Sequence, residues 1–432
     1  MKVAFSTLGC RVNVYETEAM TEKFTKQGYE VVDFNEVADV YVINTCTVTN
    51  MGDKKSRQMI SRGRRQNPKA IIAVVGCYSQ IASEEVSKIE GVDVVLGTRN
   101  KGEIVYWVNR AMEEKTQVIE VKDVLKNKEF EELNIEEYRD KTRAFLKIQD
   151  GCNRFCSYCL IPFARGAVCS KNPEKVIEEA KKLSKHGFKE IILSGIDIAS
   201  YGFDLKGEYN LTTILEQIDK IDDIERIRIG SIDPTFFTEE EIKRIGKLKK
   251  FCPHFHLSLQ SGCNETLKRM NRKYTIEQYK EIVYNLRKNI QDVSITTDII
   301  VGFPGETEEE FNKTYEFLKD IKLSKMHVFK FSPRTGTRAE KMEQQIDGNI
   351  KEERSNKIIN LDRILEKEFM NKFIEREMPV LYEKETKDEG IFEGYTPNYI
   401  KIYAISLNDI TGDIINTSLK EVSKDFIKGE IY

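Results

Sequence analysis

The feature of this sequence that most restricts its fold is a regular alternation of short apolar runs with amphipathic helical segments. In residues 1–113 the apolar runs read KVAFST, YEVVDF, DVYVINT, AIIAVVG and VDVVLG. The helical segments among them cover residues 14–26, 53–66, 81–89 and 101–112. Strands rich in Val and Ile that alternate with helices are typical of parallel sheets covered on both faces. We therefore predict an α/β chain whose residues 1–113 form a doubly wound parallel sheet.

A second alternating series follows a charged segment, residues 114–141, which we interpret as a linker with some helix. Its predicted strands are residues 143–148, 190–193, 226–229, 254–259, 294–301 and 326–331. These units are fewer than the eight of a closed barrel, so residues 142–370 are expected to form an open, partial (β/α)6 barrel that ends in a long helix. Residues 371–432 hold short strands separated by Gly, Asn and Asp turns, which indicates a small antiparallel β-barrel.

The bulk composition limits the compartment and the partners. No window of about 18 uninterrupted apolar residues predicts a membrane span, and the N-terminus lacks the pattern of a signal peptide. We therefore expect a cytoplasmic protein with no membrane partner. Disulfides rarely persist in a reducing cytosol, so the nine cysteines indicate metal or redox chemistry. The net charge of −3 restricts any nucleic-acid binding to local basic patches.

Three of the cysteines, Cys152, Cys156 and Cys159, lie in the segment IQDGCNRFCSYCLIP with the spacing C-x3-C-x2-C. Thiolates are the usual ligands of iron–sulfur clusters, and short spacings let one loop surround a cluster. Three ligands for four irons leave one iron open to bind a small molecule. The competing interpretation is a structural zinc site, but such sites take four ligands, and the sequence has no second C-x2-C pair. A zinc-dependent RNA-binding module is therefore the alternative from a different class.

This triad, with Tyr158 before its last cysteine, resembles the hallmark of the radical S-adenosylmethionine enzymes. Segments Leu193-Ser194-Gly195 and IVGFPGE (residues 300–306) match the family in the same order. The resemblance implies a 4Fe–4S cluster whose open iron chelates S-adenosylmethionine, reductive formation of a deoxyadenosyl radical, and an electron donor of reductase or flavodoxin type. Residues expected to contact the cofactor are Tyr158, Ser194, Gly195, Gln260, Gly302 and Gly305. Alone, the two loop glycines also fit a tight turn before a helix capped by Thr307 and Glu310.

A second set of cysteines is dispersed: Cys10, Cys46 and Cys77 each directly follow a predicted strand, in TLGC, INTC and VVGC. The carboxyl ends of parallel strands lie along one edge of a sheet, where ligands bind. One such cysteine could be a small core residue. Three at equivalent strand ends predict a second cluster with three protein ligands, and a single catalytic cluster with an inert N-terminal domain remains the alternative.

The combination resembles the methylthiotransferases, which join a domain with three dispersed cysteines, a radical domain and a C-terminal TRAM module. That resemblance covers essentially the whole chain. It implies that the second cluster carries the transferred sulfur, and that two S-adenosylmethionine molecules supply the methyl group and the radical. It also implies tRNA as partner for most members; no stable protein partner is inferred.

Three relatives differ in substrate: threonylcarbamoyladenosine in tRNA, isopentenyladenosine in tRNA, or an aspartate of a ribosomal protein. The segments TLGCRVN, NTCTVT, GCY and HFHLSLQSG most resemble the threonylcarbamoyl group, which predicts methylthiolation at C2 of that nucleoside beside the anticodon. One departure is the stretch after Arg165, where that group usually carries more arginine and this chain has Ala167 and Cys169.

Residues 54–69 carry seven basic side chains and no acidic one, directly after the Cys46 segment. Such a run is often a solvated helix face, but the missing opposite charges favour contact with a tRNA backbone. The residues predicted to bind RNA are Lys54, Lys55, Arg57, Arg62, Arg64 and Arg65. The C-terminal module is net acidic, so its RNA contacts are expected to be few, or absent if it only packs on the barrel mouth.

The strand that carries His254 and His256 places both side chains on one face, together with Cys252. A third metal site is one interpretation, and side chains that fill or line the barrel interior are the favoured one. Arg272 is a candidate for cofactor or substrate contact, or for a helix-end cation.

Overall fold

The computed structural model describes residues 1–47, 50–126, 129–133, 135 and 142–431. Parts of the predicted linker and of the NTCTVT segment lie outside these residues. Within the described part of the chain, no helix combines the length and the apolar character needed to cross a membrane.

The N-terminal sheet has six parallel strands in the order β2-β1-β3-β4-β5-β6. They are β1 (Lys2–Thr7), β2 (Glu30–Val32), β3 (Val40–Thr45), β4 (Ile71–Gly76), β5 (Val94–Leu96) and β6 (Val118–Glu120). The helices are α1 (Arg11–Lys26), α2 (Asn50–Gln66), α3 (Cys77–Ile81), α4 (Ser83–Ser87) and α5 (Ile104–Glu114). Separate apolar clusters cover the two faces of the sheet, which makes it doubly wound as predicted.

Two details of this domain differ from the sequence expectation. The strand β6 lies inside the stretch interpreted as a linker and extends the sheet at its edge. The single helix expected over residues 81–89 is replaced by two short ones, α3 and α4, which meet at Ala82. The first of them starts at a cysteine directly after β4, because the chain turns at Gly76 with φ +102°.

The central domain is the predicted partial barrel of six parallel strands. In sheet order they are β7 (Arg143–Lys147), β10 (Glu190–Ser194), β11 (Arg226–Ile229), β12 (His254–His256), β13 (Ser294–Val301) and β14 (Lys325–Lys330). Two three-stranded sheets are joined through the parallel bridge between Ile232 and Leu257. A short antiparallel pair, β8 (Gln149–Asp150) and β9 (Cys169–Ser170), brackets the C-x3-C-x2-C loop.

Helices pack around this barrel and enclose its apolar core. They are α6 (Ile161–Arg165), α7 (Pro173–Lys185), α8 (Leu211–Ile218), α9 (Glu239–Ile245), α10 (Asn264–Arg269), α11 (Ile276–Asn289), α12 (Glu308–Ile321) and α13 (Gly348–Asn371). The capping box predicted for Thr307 and Glu310 is present at the start of α12.

The C-terminal strands close a small barrel in the order β15-β16-β17-β19-β18. They are β15 (Glu377–Glu385), β16 (Ile391–Tyr395), β17 (Lys401–Ile405), β18 (Ile414–Val422) and β19 (Ile427–Ile431). All pairs are antiparallel except β17 with β19, which run parallel. This barrel docks on the central domain, where Arg226 and Arg228 donate hydrogen bonds to its backbone carbonyls.

Candidate active site

A cavity of about 780 Å³ opens where the three domains meet. The N-terminal domain contributes Cys10 and Arg11, and the central barrel contributes all three cysteines of the C-x3-C-x2-C loop. The C-terminal barrel contributes Tyr395, Tyr399, Lys401 and Asp425. One cysteine of the dispersed set and all three of the loop therefore line the same open cavity, with the small barrel as its third wall.

The C-x3-C-x2-C loop leaves β8 through Gly151, whose φ is +73°; a Cβ there would lie 1.9 Å from the carbonyl oxygen of Ala167. The Cys152 amide donates to the carbonyl of Gly166 at 3.0 Å, and the Cys159 amide donates to that of Cys156 at 3.0 Å. These bonds fold the loop back on itself, so the three thiols face the cavity from one short segment.

Polar groups of the barrel surround the loop thiols. Arg272 donates from Nη1 to the Cys156 Sγ at 3.4 Å and pairs with Asp233 at 2.9 Å. Asp197 Oδ2 lies 3.9 Å from the Cys152 Sγ and is paired with Arg154 at 2.8 Å. Arg272 is thus a direct neighbour of a predicted cluster ligand. The sequence did not predict a site role for Asp197 or Arg154, because nothing in their local sequence marks them.

Burial, together with the charge of Asp197, raises the pKa of Cys152 to about 12, and burial likewise raises the pKa of Cys159 to about 12. Without a bound cation these two thiols are protonated at neutral pH. Thiolates are the metal-binding form, so metal binding at this loop must release protons.

The residues predicted to contact the cofactor fall into two groups. Tyr158, Ser194 and Gly195 line the cavity, and the Tyr158 ring stacks edge-on against Phe303. The remaining three, Gln260, Gly302 and Gly305, are not among the residues that line it.

In the glycine loop, the Gly302 amide donates to Glu306 Oε2 at 2.7 Å, and Arg354 of α13 donates to the same oxygen at 2.7 Å. The Gly305 amide donates to the Gln344 carbonyl at 3.0 Å. The positive φ of both glycines, +69° and +76°, explains the residue type at these turns. Cofactor contact by these residues stays a prediction.

The dispersed cysteines are held at the carboxyl edge of the N-terminal sheet. Asn13 Nδ2 donates to the Leu8 carbonyl at 2.7 Å and to the Thr45 carbonyl at 3.0 Å, which ties the loop after β1 to the end of β3. A Cβ on Gly9 would lie 2.7 Å from the Cβ and 2.8 Å from the Sγ of Cys46. The loops that carry Cys10 and Cys46 are therefore in direct contact, and only glycine fits between them.

A side chain of the central domain contacts Cys77. Arg165, the last residue of α6, donates from Nε to the Cys77 Sγ at 3.3 Å and from Nη2 to Asn13 Oδ1 at 2.7 Å. The same guanidinium pairs with Glu16 at 2.5 Å and with Asp150 at 3.3 Å. It is fully buried, so one side chain connects the cysteine edge of the sheet to the central barrel.

Further buried charges complete this connection. Lys147 pairs with Glu16 at 2.8 Å and with Asp150 at 2.7 Å, and Lys101 pairs with Glu16 as well. Burial alone would raise the pKa of Glu16, but the charges of Arg165, Lys101 and Lys147 hold it well below its ordinary value. The carboxylate therefore stays ionised between the domains.

The chemistry of both donor sets fits iron–sulfur clusters. Each set offers three thiols, and no disulfide joins any of the described cysteines. Soft thiolate ligands select iron–sulfur clusters, zinc and Cu(I). Among the described residues, no three His, Cys, Asp or Glu side chains close around a single ion, which also leaves the third metal site at Cys252, His254 and His256 unformed. The two histidines line the cavity, as favoured from sequence.

The basic helix α2 has side chains of two kinds. Lys54, Lys55, Arg62 and Arg65 are exposed. Arg57 is exposed but bonded to Tyr78 and Glu85, whereas Arg64 is half-buried and paired with Asp93 at 2.7 Å. The structure thus distinguishes two arginines with carboxylate partners in their own domain from four cations that face solvent.

Cys169, which follows the arginine-poor stretch, is buried and accepts a hydrogen bond from Arg99 Nη1 at 2.8 Å. Arg99 also donates to the Arg165 carbonyl at 2.7 Å. Cys169, through its contact with Arg99, therefore supports the segment that carries Arg165. No feature of the local sequence predicted this contact, because Arg99 lies far from Cys169 along the chain.

A partial parallel barrel that carries a three-cysteine loop at its carboxyl end defines a radical S-adenosylmethionine enzyme. Residues 146–318 match the model of the Radical SAM superfamily, and residues 2–97 match that of Uncharacterized protein family UPF0004. The radical S-adenosylmethionine methyltransferase TsrM from Kitasatospora setae, with cobalamin and a 4Fe–4S cluster bound, shares the fold. Its TM-score is 0.58 at 14% identity, over 78% of this chain and 76% of that one.

Two relatives are similar along their whole length. The threonylcarbamoyladenosine tRNA methylthiotransferase MtaB of Bacillus subtilis is 45% identical, over 99% of this chain and 96% of its own. The tRNA-2-methylthio-N(6)-dimethylallyladenosine synthase of Clostridium tetani is 34% identical, over 98% of this chain and 95% of its own. The chain belongs to the radical S-adenosylmethionine methylthiotransferases, a family that uses 4Fe–4S clusters and S-adenosylmethionine. The zinc-module interpretation is therefore wrong.

Proposed function

We propose that this enzyme transfers a methylthio group to C2 of N6-threonylcarbamoyladenosine beside the anticodon of tRNA. The observation that carries the proposal is the shared cavity, which Cys10 and the three cysteines of the C-x3-C-x2-C loop line together. A substrate base in this cavity touches the radical site and the sulfur site at once. The higher identity to the threonylcarbamoyladenosine enzyme than to the dimethylallyladenosine enzyme supports the choice of nucleoside.

In this proposal Cys152, Cys156 and Cys159 hold one 4Fe–4S cluster, and Cys10, Cys46 and Cys77 hold the other. When bound, the first cluster supplies reductive cleavage of S-adenosylmethionine, and the second supplies the sulfur. One molecule of S-adenosylmethionine provides the radical and another the methyl group. The residues assigned to the cofactor are Tyr158, Ser194 and Gly195, which line the cavity, together with Gln260, Gly302 and Gly305.

The surrounding charges suit these roles. Arg165 and Arg272 each donate a hydrogen bond to one predicted ligand, Cys77 and Cys156 respectively. Hydrogen bonds to ligand sulfurs and restricted solvent access tune the reduction potential of an iron–sulfur cluster. The two buried guanidiniums therefore favour the extra negative charge of a reduced site and orient the thiolates.

The remaining assignments concern partners. The solvent-facing cations of α2 would follow the RNA backbone beside the Cys46 loop, and Arg57 and Arg64 would support them from within the domain. Electrons would come from a reductase or flavodoxin-type donor in the cytoplasm.

The test is a reconstituted reaction with three substrates in separate vessels: tRNA with threonylcarbamoyladenosine, tRNA with isopentenyladenosine, and the ribosomal protein. Mass spectrometry of nucleosides and peptides measures the methylthio increment on each. The increment is expected mainly on threonylcarbamoyladenosine, because a site built for a polar substituent strongly rejects an analogue that lacks it. An increment mainly on isopentenyladenosine or on the ribosomal aspartate would contradict the assignment.

A further inference from the structure

Five lysines and arginines of the described residues line the cavity, and four of them have a carboxylate partner. The pairs are Arg154–Asp197 at 2.8 Å, Arg272–Asp233 at 2.9 Å, Lys325–Glu366 at 2.5 Å and Lys401–Asp425 at 2.9 Å. The fifth cation is Arg11. Within the described part of the chain, no carboxylate lies within ion-pair distance of it, and its hydrogen bond runs to the hydroxyl of Tyr399 at 3.5 Å. Among the described residues of the cavity wall, the charge of this guanidinium thus has no carboxylate partner and is available to an anionic ligand.

The position of this guanidinium is fixed by rigid neighbours. Tyr399 stacks on His254 and on Tyr395, with ring centroids 4.7 Å and 4.9 Å apart. Its hydroxyl also accepts from Arg143 at 3.5 Å, and the guanidinium of Arg228 lies 4.6 Å from the centre of its ring. The stacked phenol therefore holds Arg11 at the cavity wall, one residue from the predicted ligand Cys10.

The local field favours an anion at this point. Behind Tyr399, Arg143 and Arg228 share the buried carboxylate of Glu190, each at 3.1 Å, and Arg143 also pairs with Glu383. Together with Arg11, three arginines thus face two carboxylates around the phenol. Burial would raise the pKa of Tyr399, yet the charges of Arg11, Arg143 and Arg228 bring it below its ordinary value. A ligand carboxylate would gain from the same field and would give Arg11 the partner that it lacks.

We propose that Arg11 binds the carboxylate of the threonylcarbamoyl substituent and so determines the specificity of the enzyme for that nucleoside. The inference rests on the proposed function. Threonine linked through a carbamoyl group keeps a free carboxylate, whereas the isopentenyl group carries no charge. A guanidinium matches a carboxylate with two parallel hydrogen bonds, which a neutral side chain cannot supply. An RNA phosphate is the other anion of the same charge that could reach this position.

The test compares three anticodon stem-loop RNAs of one sequence that carry threonylcarbamoyladenosine, isopentenyladenosine or adenosine at the modified position. Binding to the reconstituted enzyme is measured by fluorescence anisotropy at one fixed salt concentration. The variants are Arg11→Gln, Arg11→Lys and, as a matched control, Arg110→Gln, which removes an exposed arginine of α5 that does not line the cavity and is paired with Glu114. The thermal unfolding midpoint of each variant reports whether the fold is kept.

Arg11→Gln is expected to weaken binding of the threonylcarbamoyl RNA by about 10- to 100-fold, and to leave the affinity for the other two RNAs unchanged. Arg11→Lys keeps the positive charge but loses the two parallel N–H donors of the guanidinium, so part of the preference for the threonylcarbamoyl RNA should remain. Arg110→Gln should keep the wild-type ratio of affinities. An equal loss for all three RNAs would assign Arg11 to a phosphate and overturn the proposal. So would an unchanged preference in Arg11→Gln.

A product assay with the wild-type enzyme separates the two hypotheses. If the wild type methylthiolates the threonylcarbamoyl RNA while Arg11→Gln keeps its preference, the role of Arg11 alone is wrong. If the wild type methylthiolates only isopentenyladenosine, the proposed substrate is wrong and the inference about Arg11 is overturned with it.

Discussion

Arg165 donates a hydrogen bond from Nε to the Sγ of Cys77, 3.3 Å away, although the two residues belong to different domains. The same guanidinium pairs with the buried Glu16. Removing one partner from a buried ionic cluster leaves an uncompensated charge, which costs about 3–5 kcal/mol. Arg165→Gln should therefore lower the free energy of unfolding by about that amount, seen as a clear drop of the thermal unfolding midpoint of the full chain.

The matched control is Arg110→Gln, which removes an exposed ion pair with Glu114 on helix α5. Exposed pairs contribute little to stability, so its unfolding midpoint should stay close to that of the wild type. Equal midpoints for the two variants would show that Arg165 does not support the domain boundary.

The two cysteine sets predict separable losses. Replacing Cys152, Cys156 or Cys159 by Ala should abolish cleavage of S-adenosylmethionine to deoxyadenosine. Replacing Cys10, Cys46 or Cys77 should keep that cleavage and stop methylthio transfer. Iron content after anaerobic reconstitution should fall from about eight to about four per chain in either set.

Cys263→Ala serves as the control for the cysteine variants. Cys263 is buried, lies outside the cavity wall and donates to Glu265 at 2.9 Å. Its replacement should leave the iron content unchanged. A Cys46→Ala enzyme that makes methylthiolated product at the normal rate would rule out the second cluster site.

The pattern of strands and the cysteine positions could be predicted from sequence, because both depend on local periodicity. The strand β6 could not, since three residues, Val118–Glu120, carry too short a pattern inside a charged segment. The contacts of Arg165 and Arg99 with cysteines could not be predicted from sequence either, because the partners lie 88 and 70 residues apart along the chain. A basic segment predicts a charged helix, but only the packing of α2 reveals which arginines already have partners.

The basic helix α2 gives a prediction on RNA binding. Arg62→Glu combined with Arg65→Glu should weaken tRNA binding and reduce its salt dependence, because each lost phosphate contact lowers the slope of the log–log salt plot by about one. Binding is measured at several salt concentrations. The control is Arg110→Glu combined with Lys115→Glu, which makes the same charge change in α5 and at the residue directly after it. Equal effects of the two double substitutions on tRNA binding would show that the basic face of α2 is only solvated and does not contact RNA.

Asp362 in helix α13 predicts a pH-dependent stability. Its carboxylate accepts from the Met326 amide at 2.6 Å, and burial raises its pKa to about 6. The folded chain then binds this proton more tightly than the unfolded chain, so the stabilisation is present below about pH 4 and is lost as the pH rises through 6. Asp362→Asn should be more stable than the wild type at pH 8 by about 1–3 kcal/mol, and equally stable near pH 4.

Thermal unfolding across this pH range measures the difference. Asp320→Asn is the control, since Asp320 is exposed and paired only at the surface with Lys280. Its midpoint should follow the wild type at every pH. A constant difference between Asp362→Asn and the wild type from pH 4 to 8 would contradict the assignment.

Glu190 is the buried anion on which the docking of the C-terminal barrel depends. It pairs with Arg143 and Arg228 at 3.1 Å and with Arg226 at 3.8 Å. Arg226 and Arg228 in turn donate to the barrel carbonyls of Pro379, Tyr395 and Pro397. Glu190→Gln would leave these arginines without their shared counter-charge, at a cost of about 3–5 kcal/mol. The variant should therefore unfold at lower temperature and release the barrel to proteases more readily.

The pH dependence distinguishes this electrostatic role from simple packing. Burial would raise the pKa of Glu190, but Arg228 and Arg143 lower it to about 2. The stabilisation by this carboxylate is thus fully present above about pH 4.5 and is lost as the pH falls towards 2. The difference between Glu190→Gln and the wild type should shrink over that range. Glu383→Gln, at a more exposed partner of Arg143, should have a smaller effect, and an equal loss in both variants would show that the burial of Glu190 is not what secures the barrel.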